Sequence, residues 1–170
     1  MKFGKLLVAA GLAASVGLGV TNPVTAHAEK VLKLSHLNKN DPFDNSTGAM
    51  ATVFKNLVES GTNGTLKVEL FPSGQLGKDA EVLQQVKAGV IQSGIHSTGG
   101  FSSVYPLIGA LDVPFAFPNI SATYKVFDGP FGDKLSASIE SKTGLHVVGY
   151  GDSGGFFNFT NSKRPVKTLA

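Results

Sequence analysis

Apolar residues change their spacing several times along the chain, and each change marks an element. Residues 31–36 alternate well enough to predict a first strand. After a loop over 38–42, Ala49, Met50, Val53, Phe54, Leu57 and Val58 recur as pairs every four residues, the pattern of one buried helix face. Asp44 or Ser46 is placed to cap that helix. Gly61 and Gly64 are placed to end it, because only glycine is relaxed at the positive φ of a helix end. Residues 66–71 alternate again as a second strand, and Pro72-Ser73-Gly74 turns the chain. Asp79 then caps a second helix carrying Val82, Leu83 and Val86, closed by Gly89. Residues 91–97 read as a third, buried strand, and 99–118 are irregular. Asn119 caps a helix through Phe127; Pro130 opens another to Lys142, with Gly144 as its stop. A fourth strand is predicted over 145–150 and a fifth over 156–160. Residues 161–170, polar and broken by proline, read as a connection leaving the domain.

The order β-α-β-α-β with short connections predicts an α/β fold whose parallel strands are joined by crossover helices. The start of the chain stands apart. Met1 to Lys5 is basic, 6–20 is an uncharged run of Leu, Val, Ala and Gly, and Ala26-His27-Ala28 puts small residues where a signal peptidase reads. Together these make a secretory leader cleaved after Ala28. The apolar run falls short of the roughly 20 residues of a membrane span. Residues 29–170 then suit one domain.

Once Lys2 and Lys5 are removed with the leader, 13 of the 15 Lys and Arg remain and nearly balance the 12 Asp and Glu. No basic run with interleaved aromatics suggests nucleic acid. The chain has no cysteine, which removes disulfides, thiolate metal sites and thiol nucleophiles together. Of its 4 histidines, three follow the leader (His36, His96 and His146), without metal-ligand spacing. Gly-Asp-Ser-Gly at 151–154 has no base aligned to activate its serine, and no lysine followed by Ser or Thr makes a phosphate loop. The chain is therefore expected to be a monomeric non-enzyme with neither cofactor nor metal.

Four segments carry a resemblance. They are T-N-G-T-L-K-V at 62–68 running into F-P-S-G-Q-L-G at 71–77, L-Q-Q-V-K-A-G at 83–89, D-V-P-F-A-F at 112–117, and N-F-T-N-S-K-R-P at 158–165. In these strings the chain resembles the solute-binding subunits of tripartite ATP-independent periplasmic (TRAP) transporters, of the dicarboxylate-binding (DctP) type, over residues 31–170. The resemblance implies a type II periplasmic-binding-protein-like lobe with a mixed, mainly parallel sheet flanked by helices. Residues 29–160 would form that N-terminal lobe and 161–170 would begin the hinge to a second lobe, absent here by truncation. It further implies capture of a small organic acid in the periplasm and delivery to the membrane permease subunits of a TRAP transporter. Use of the lobe for sensing, or a fragment that binds nothing, are the alternatives. The family's principal carboxylate-binding arginine would lie beyond Ala170.

In open α/β sheets ligands sit outside the carboxyl ends of the strands. Three loops qualify, over 36–43, 96–101 and 151–158. His36 offers a ring donor. Ser97, which aligns on a family contact position, and Thr98 offer hydroxyls. Phe43 and Phe101 are candidate walls. Phe157 stands where many family members have an arginine, and Asn158 offers an amide. A phenyl ring in place of a guanidinium mildly favours a monocarboxylate with an apolar or aromatic body. Arg164 reads as a structural ion-pair residue near the hinge.

Overall fold

The computed structural model describes residues 30–154 and Ser162. The leader, the fifth strand and Arg164 lie outside the described residues. Three parallel strands make one sheet: β1 (Lys30–His36), β2 (Leu66–Phe71) and β3 (Ser93–Ile95), in the order β2-β1-β3. Leu34 pairs with Leu70 on one side and with Ser93 on the other, so β1 is central where it leaves the sheet. All pairing in this sheet is parallel.

Helix α1 (Ser46–Gly61) crosses from β1 to β2, and α2 (Asp79–Lys87) crosses from β2 to β3. A short helix α3 (Thr98–Phe101), a 3-10 segment (Pro106–Asp112), α4 (Ile120–Phe127) and α5 (Pro130–Thr143) follow. Asn119 caps α4 by accepting from the Ala122 N–H, Pro130 opens α5, and Gly144 closes it at φ 75°.

The face of α1 differs from the expected one. Thr47, Gly48 and Ala51 are buried and Phe54 and Val58 pack on the sheet, whereas Val53 and Leu57 are exposed. The small residues decide this. A Cβ on Gly48 would lie 2.7 Å from the Lys39 carbonyl oxygen, so the loop after β1 rests directly on the first turn of α1. The helix comes closest to its neighbours along its smallest residues, and the paired apolar positions beside that line stay outside. Its cap is Asn45, between the two expected residues; its side chain accepts from the Gly48 N–H at 2.9 Å.

On the far side, Lys55 and Glu59 of α1 grip the outer edge of β2. Lys55 Nζ donates to the Val68 carbonyl at 2.7 Å, and Glu59 accepts from the Val68 N–H at 2.9 Å. An edge strand that would otherwise offer free backbone groups is thereby covered. Leu34, Ala51 and Val68 form the core beneath, each at most 1 % exposed. A fully buried Leu or Val contributes about 1.5–3 kcal/mol.

Two strand expectations need correction. The third strand forms only over Ser93–Ile95, and Ile91 is buried before it begins. The fourth does not form: 145–150 joins no ladder, although Leu145 is buried, Val147 half-buried and His146 and Val148 exposed, as an alternating segment would be. Val147 packs instead on a second core of Tyr105, Ile108 and Ile139. The alternation is real, but a ladder also needs a neighbouring edge, and no described strand supplies one.

His36 closes β1 at 2 % exposure, and neither ring nitrogen has a hydrogen-bond partner among the described residues. Burial pushes its pKa below the ordinary range; the Asn38 backbone opposes part of that. An unfolded histidine titrates near pH ~6.5. As the pH falls through that value the unfolded chain takes up the proton before the folded one does, so stability is full above it and declines toward the lower folded value. Thermal unfolding should show a melting temperature that falls as the pH drops from about 6.5 to about 5. His36→Phe should flatten that limb; an unchanged slope would show that His36 does not titrate with folding.

Candidate functional site

Parallel strands all deliver their carboxyl ends to one edge of the sheet, and the loops that leave them meet there. A cavity of about 140 Å³ opens at that edge. Leu37 and Asn38 line it from the loop after β1; Ile95, His96 and Ser97 come from the end of β3; Gly151, Asp152 and Ser153 come from the loop before 154. Thr47 and Met50 of α1 and Asp79 of α2 complete the wall.

Each piece is held by local chemistry. The turn after β2 reaches back to the β1 exit: the Ser73 N–H donates to the Asn38 carbonyl at 2.9 Å and the Gly74 N–H donates to the His36 carbonyl at 3.1 Å. Ser73 and Gly74 do this at φ 55° and 70°, in the left-handed region. The P-S-G-Q-L-G string thus anchors one rim of the cavity. The Asn38 amide in turn donates to the Thr47 hydroxyl at 2.8 Å.

Asp79 has a different duty from the expected one. The α2 cap position is Lys78, whose N–H donates to Glu81 at 3.0 Å. That leaves the Asp79 carboxylate to accept from His96 Nδ1 at 2.7 Å, with the two side chains 15 % and 8 % exposed. Two glycines make room. A Cβ on Gly100 would lie 2.0 Å from Asp79 Oδ2, and a Cβ on Gly94 would lie 2.3 Å from His96 Nε2. His96 Nε2 is buried without a partner among the described residues. On the opposite rim, Asp152 accepts a very short hydrogen bond from the Tyr124 hydroxyl and a 2.7 Å bond from the Gly154 N–H. The bond to Asp152 raises the Tyr124 pKa.

The candidate residues separate in space. Ser97 lines the cavity, and its hydroxyl also accepts from the Gly100 N–H at 3.0 Å. Thr98 donates to Asp112 at 2.5 Å. His36 is buried under the rim, Phe101 packs against the second core, and Phe43 is fully exposed away from the cavity wall. Phe157 and Asn158 lie outside the described residues. The sequence reading passed over Asn38, Thr47, Asp79, His96 and Asp152 as site residues. Gly99-Gly100 was the available signal, since paired glycines mark a close approach; the approaching group is the Asp79 carboxylate. Among the described residues, no group of three or more His, Cys, Asp or Glu could hold a metal, and no helix is long and apolar enough to cross a membrane. A wall of hydroxyls, one amide and two fixed carboxylates can orient a polar ligand through hydrogen bonds.

Comparison with known proteins agrees with this geometry. The family described as bacterial extracellular solute-binding protein, family 7, matches residues 37–170. The chain is 38 % identical over 120 residues to the 2,3-diketo-L-gulonate-binding periplasmic protein YiaO of Escherichia coli, covering 71 % of this chain and 36 % of that one. Among solved structures it resembles a TRAP periplasmic solute binding protein from Polaromonas sp. JS666 bound to D-erythronate, with TM-score 0.62 and 32 % identity over 67 % of this chain and 37 % of that one. It also resembles one from Sulfurospirillum deleyianum with bound succinate, with TM-score 0.59 and 31 % identity over 68 % of this chain and 36 % of that one. The chain thus spans little more than a third of the length of these relatives.

The glycine pair gives a matched test. Gly100→Ala must displace Asp79 and break its bond to His96, at a cost of about 1–3 kcal/mol, and should shift the His96 ring resonances. Gly99→Ala meets nothing nearer than Ser97 Oγ at 4.0 Å and should stay within about 0.5 kcal/mol of wild type. Equal effects in the two variants would contradict the placement of Asp79.

Proposed function

Since the chain belongs to the bacterial extracellular solute-binding proteins of family 7, we propose that it captures a small organic acid outside the cytoplasmic membrane and delivers it to the permease of a TRAP-type transporter. The observation that carries this reading is the cavity at the carboxyl edge of a parallel sheet, walled by three loops with Ser97 among them. The proteins it resembles bind 2,3-diketo-L-gulonate, D-erythronate and succinate, each a small carboxylate. Ligand sites of this kind bury about 70–90 % of their ligand, and the described cavity is one wall of such a site. In this reading Ser97 contacts the ligand directly, Thr98 and His36 support the rim, and Phe157 and Asn158 are further candidate contacts. Binding without chemistry is what the orienting hydroxyls and amide of the described wall suit. A ligand preferring the closed form shifts the population toward it, and the permease reads that form.

Export is the companion proposal. Residues 1–28 carry the basic, apolar and Ala-x-Ala parts of a secretory leader, with cleavage after Ala28. Periplasmic residence follows from it.

Thermal unfolding of the full-length gene product tests the reading. A ligand at about 100 times its Kd stabilises the native state by about 2.7 kcal/mol. Small carboxylic acids should raise the melting temperature by several degrees, and the matching neutral alcohols and amides should not. A shift with the neutral compounds alone would overturn the assignment to organic acids.

A further inference from the structure

Beneath the cavity, two buried polar atoms are left over. Ser35 is 1 % exposed and the His96 side chain 8 % exposed, and neither Ser35 Oγ nor His96 Nε2 has a hydrogen-bond partner among the described residues. The two atoms lie against neighbouring strands, on one face of the sheet. Ser35 is the register partner of Gly94 across the β1–β3 ladder, and residues in register project to the same side. A Cβ on Gly94 would collide with His96 Nε2, so the ring tip fills the space of the side chain that Gly94 lacks. That face is the one α2 covers. Leu34, which points the opposite way from Ser35, lies in the core with Ala51 of α1, and His96 Nδ1 reaches Asp79 of α2 at 2.7 Å.

We propose that one internal water joins Ser35 Oγ to His96 Nε2, completing a buried relay from Asp79 through His96 and the water to Ser35, and that Ser35 is thereby a positioning residue for Ser97. The chemistry of the ring defines what Nε2 needs. An ionised carboxylate only accepts, so Nδ1 carries the proton toward Asp79, and the neutral ring then leaves Nε2 as an acceptor. Its partner must be a donor. The Ser35 hydroxyl both donates and accepts, as does water. Register partners stand about 4.8 Å apart, a span that one water closes with two bonds of about 2.8 Å. Buried waters take such seats between otherwise unpaired polar groups. The relay reaches Ser97 from both sides. His96 immediately precedes it in the chain. Beyond it, the Gly100 N–H donates to Ser97 Oγ at 3.0 Å, and a Cβ on Gly100 would collide with Asp79 Oδ2, so Asp79 bounds the residue that holds the Ser97 hydroxyl. Asp79 and His96 thus tie both neighbours of Ser97 to α2, and the water ties them to β1. That Ser97 meets the solute rests on the organic-acid reading; the relay itself does not. At 1 % exposure the Ser35 hydroxyl reaches no solute, so the order Asp-His-Ser serves placement and not acyl transfer.

NMR of the histidine ring nitrogens in the full-length gene product, with no solute added, tests the relay. Wild type should show His96 protonated at Nδ1 and accepting a hydrogen bond at Nε2, and a high-resolution crystal structure should show a water within bonding distance of both Ser35 Oγ and His96 Nε2. Ser35→Ala keeps the Cβ and removes the hydroxyl. It should move the Nε2 resonance toward that of an unpaired ring nitrogen and quicken exchange of the Gly100 amide about five-fold, the span of one net hydrogen bond. Gly94→Ala displaces the ring tip and should give the same two changes without touching Ser35. A wild-type ring protonated at Nε2 would overturn the relay, and a dry gap between Ser35 and His96 would overturn the water site. A Gly100 amide that keeps its wild-type rate in both variants would overturn the positioning role of Ser35. None of these readouts uses a ligand, so failure of the organic-acid reading would show separately, in the thermal unfolding with carboxylic acids.

Discussion

The parallel pairing of β1 between β2 and β3 is the constraint on which the rest of the molecule depends. β1 is paired along both edges where it leaves the sheet, and Leu34, Ser35 and His36 are all buried there. Parallel strands cannot be joined by tight hairpins, so α1 and α2 must cross back over the sheet. Every strand then ends at the same edge, and the loops that carry polar side chains have to meet there. Place, in this protein, follows from topology, while chemistry follows from the few residues that happen to lie in the loops.

Those loops are held by backbone geometry more than by side chains. Ser73 and Gly74 adopt left-handed conformations so that their N–H groups reach the carbonyls of Asn38 and His36. Gly48 lets the loop after β1 sit on α1, and Gly94 and Gly100 let His96 and Asp79 close on each other. The same spots that look like simple turns in the sequence are what fix the hydrogen-bonding groups of the wall. A pre-ordered wall gives up little side-chain freedom when it binds, which is how fixed polar groups gain specificity.

Much of this was legible in the residues. The order of the first three strands and the helices, the caps at Asn119, Pro130 and Gly144, and the first two loops at the ligand edge were visible in periodicity and in glycine and proline placement. Four features were not, for physical reasons. Asp44, Asn45 and Ser46 can each cap a helix, and only the approach of the Asp41 loop selects Asn45. Asp79 reads as a cap until Glu81 is seen to take the Lys78 N–H, freeing Asp79 for His96, a partner 17 positions away. Residues 145–150 alternate like a strand, but pairing is a property of two segments and one segment's pattern cannot contain it. Phe101 is equally suited to a cleft or a core, and the nearby second core takes it.

Backbone hydrogen exchange on the full-length gene product, with and without a saturating small organic acid that binds it, tests the central claim most directly. The account predicts that ligand slows exchange together in the segments around 37–38, 95–97 and 151–153, and leaves the Val68 edge held by Lys55 and Glu59 unchanged. Protection confined to other parts of the chain, with these three segments unaffected, would contradict the placement of the site at the carboxyl edge of the sheet.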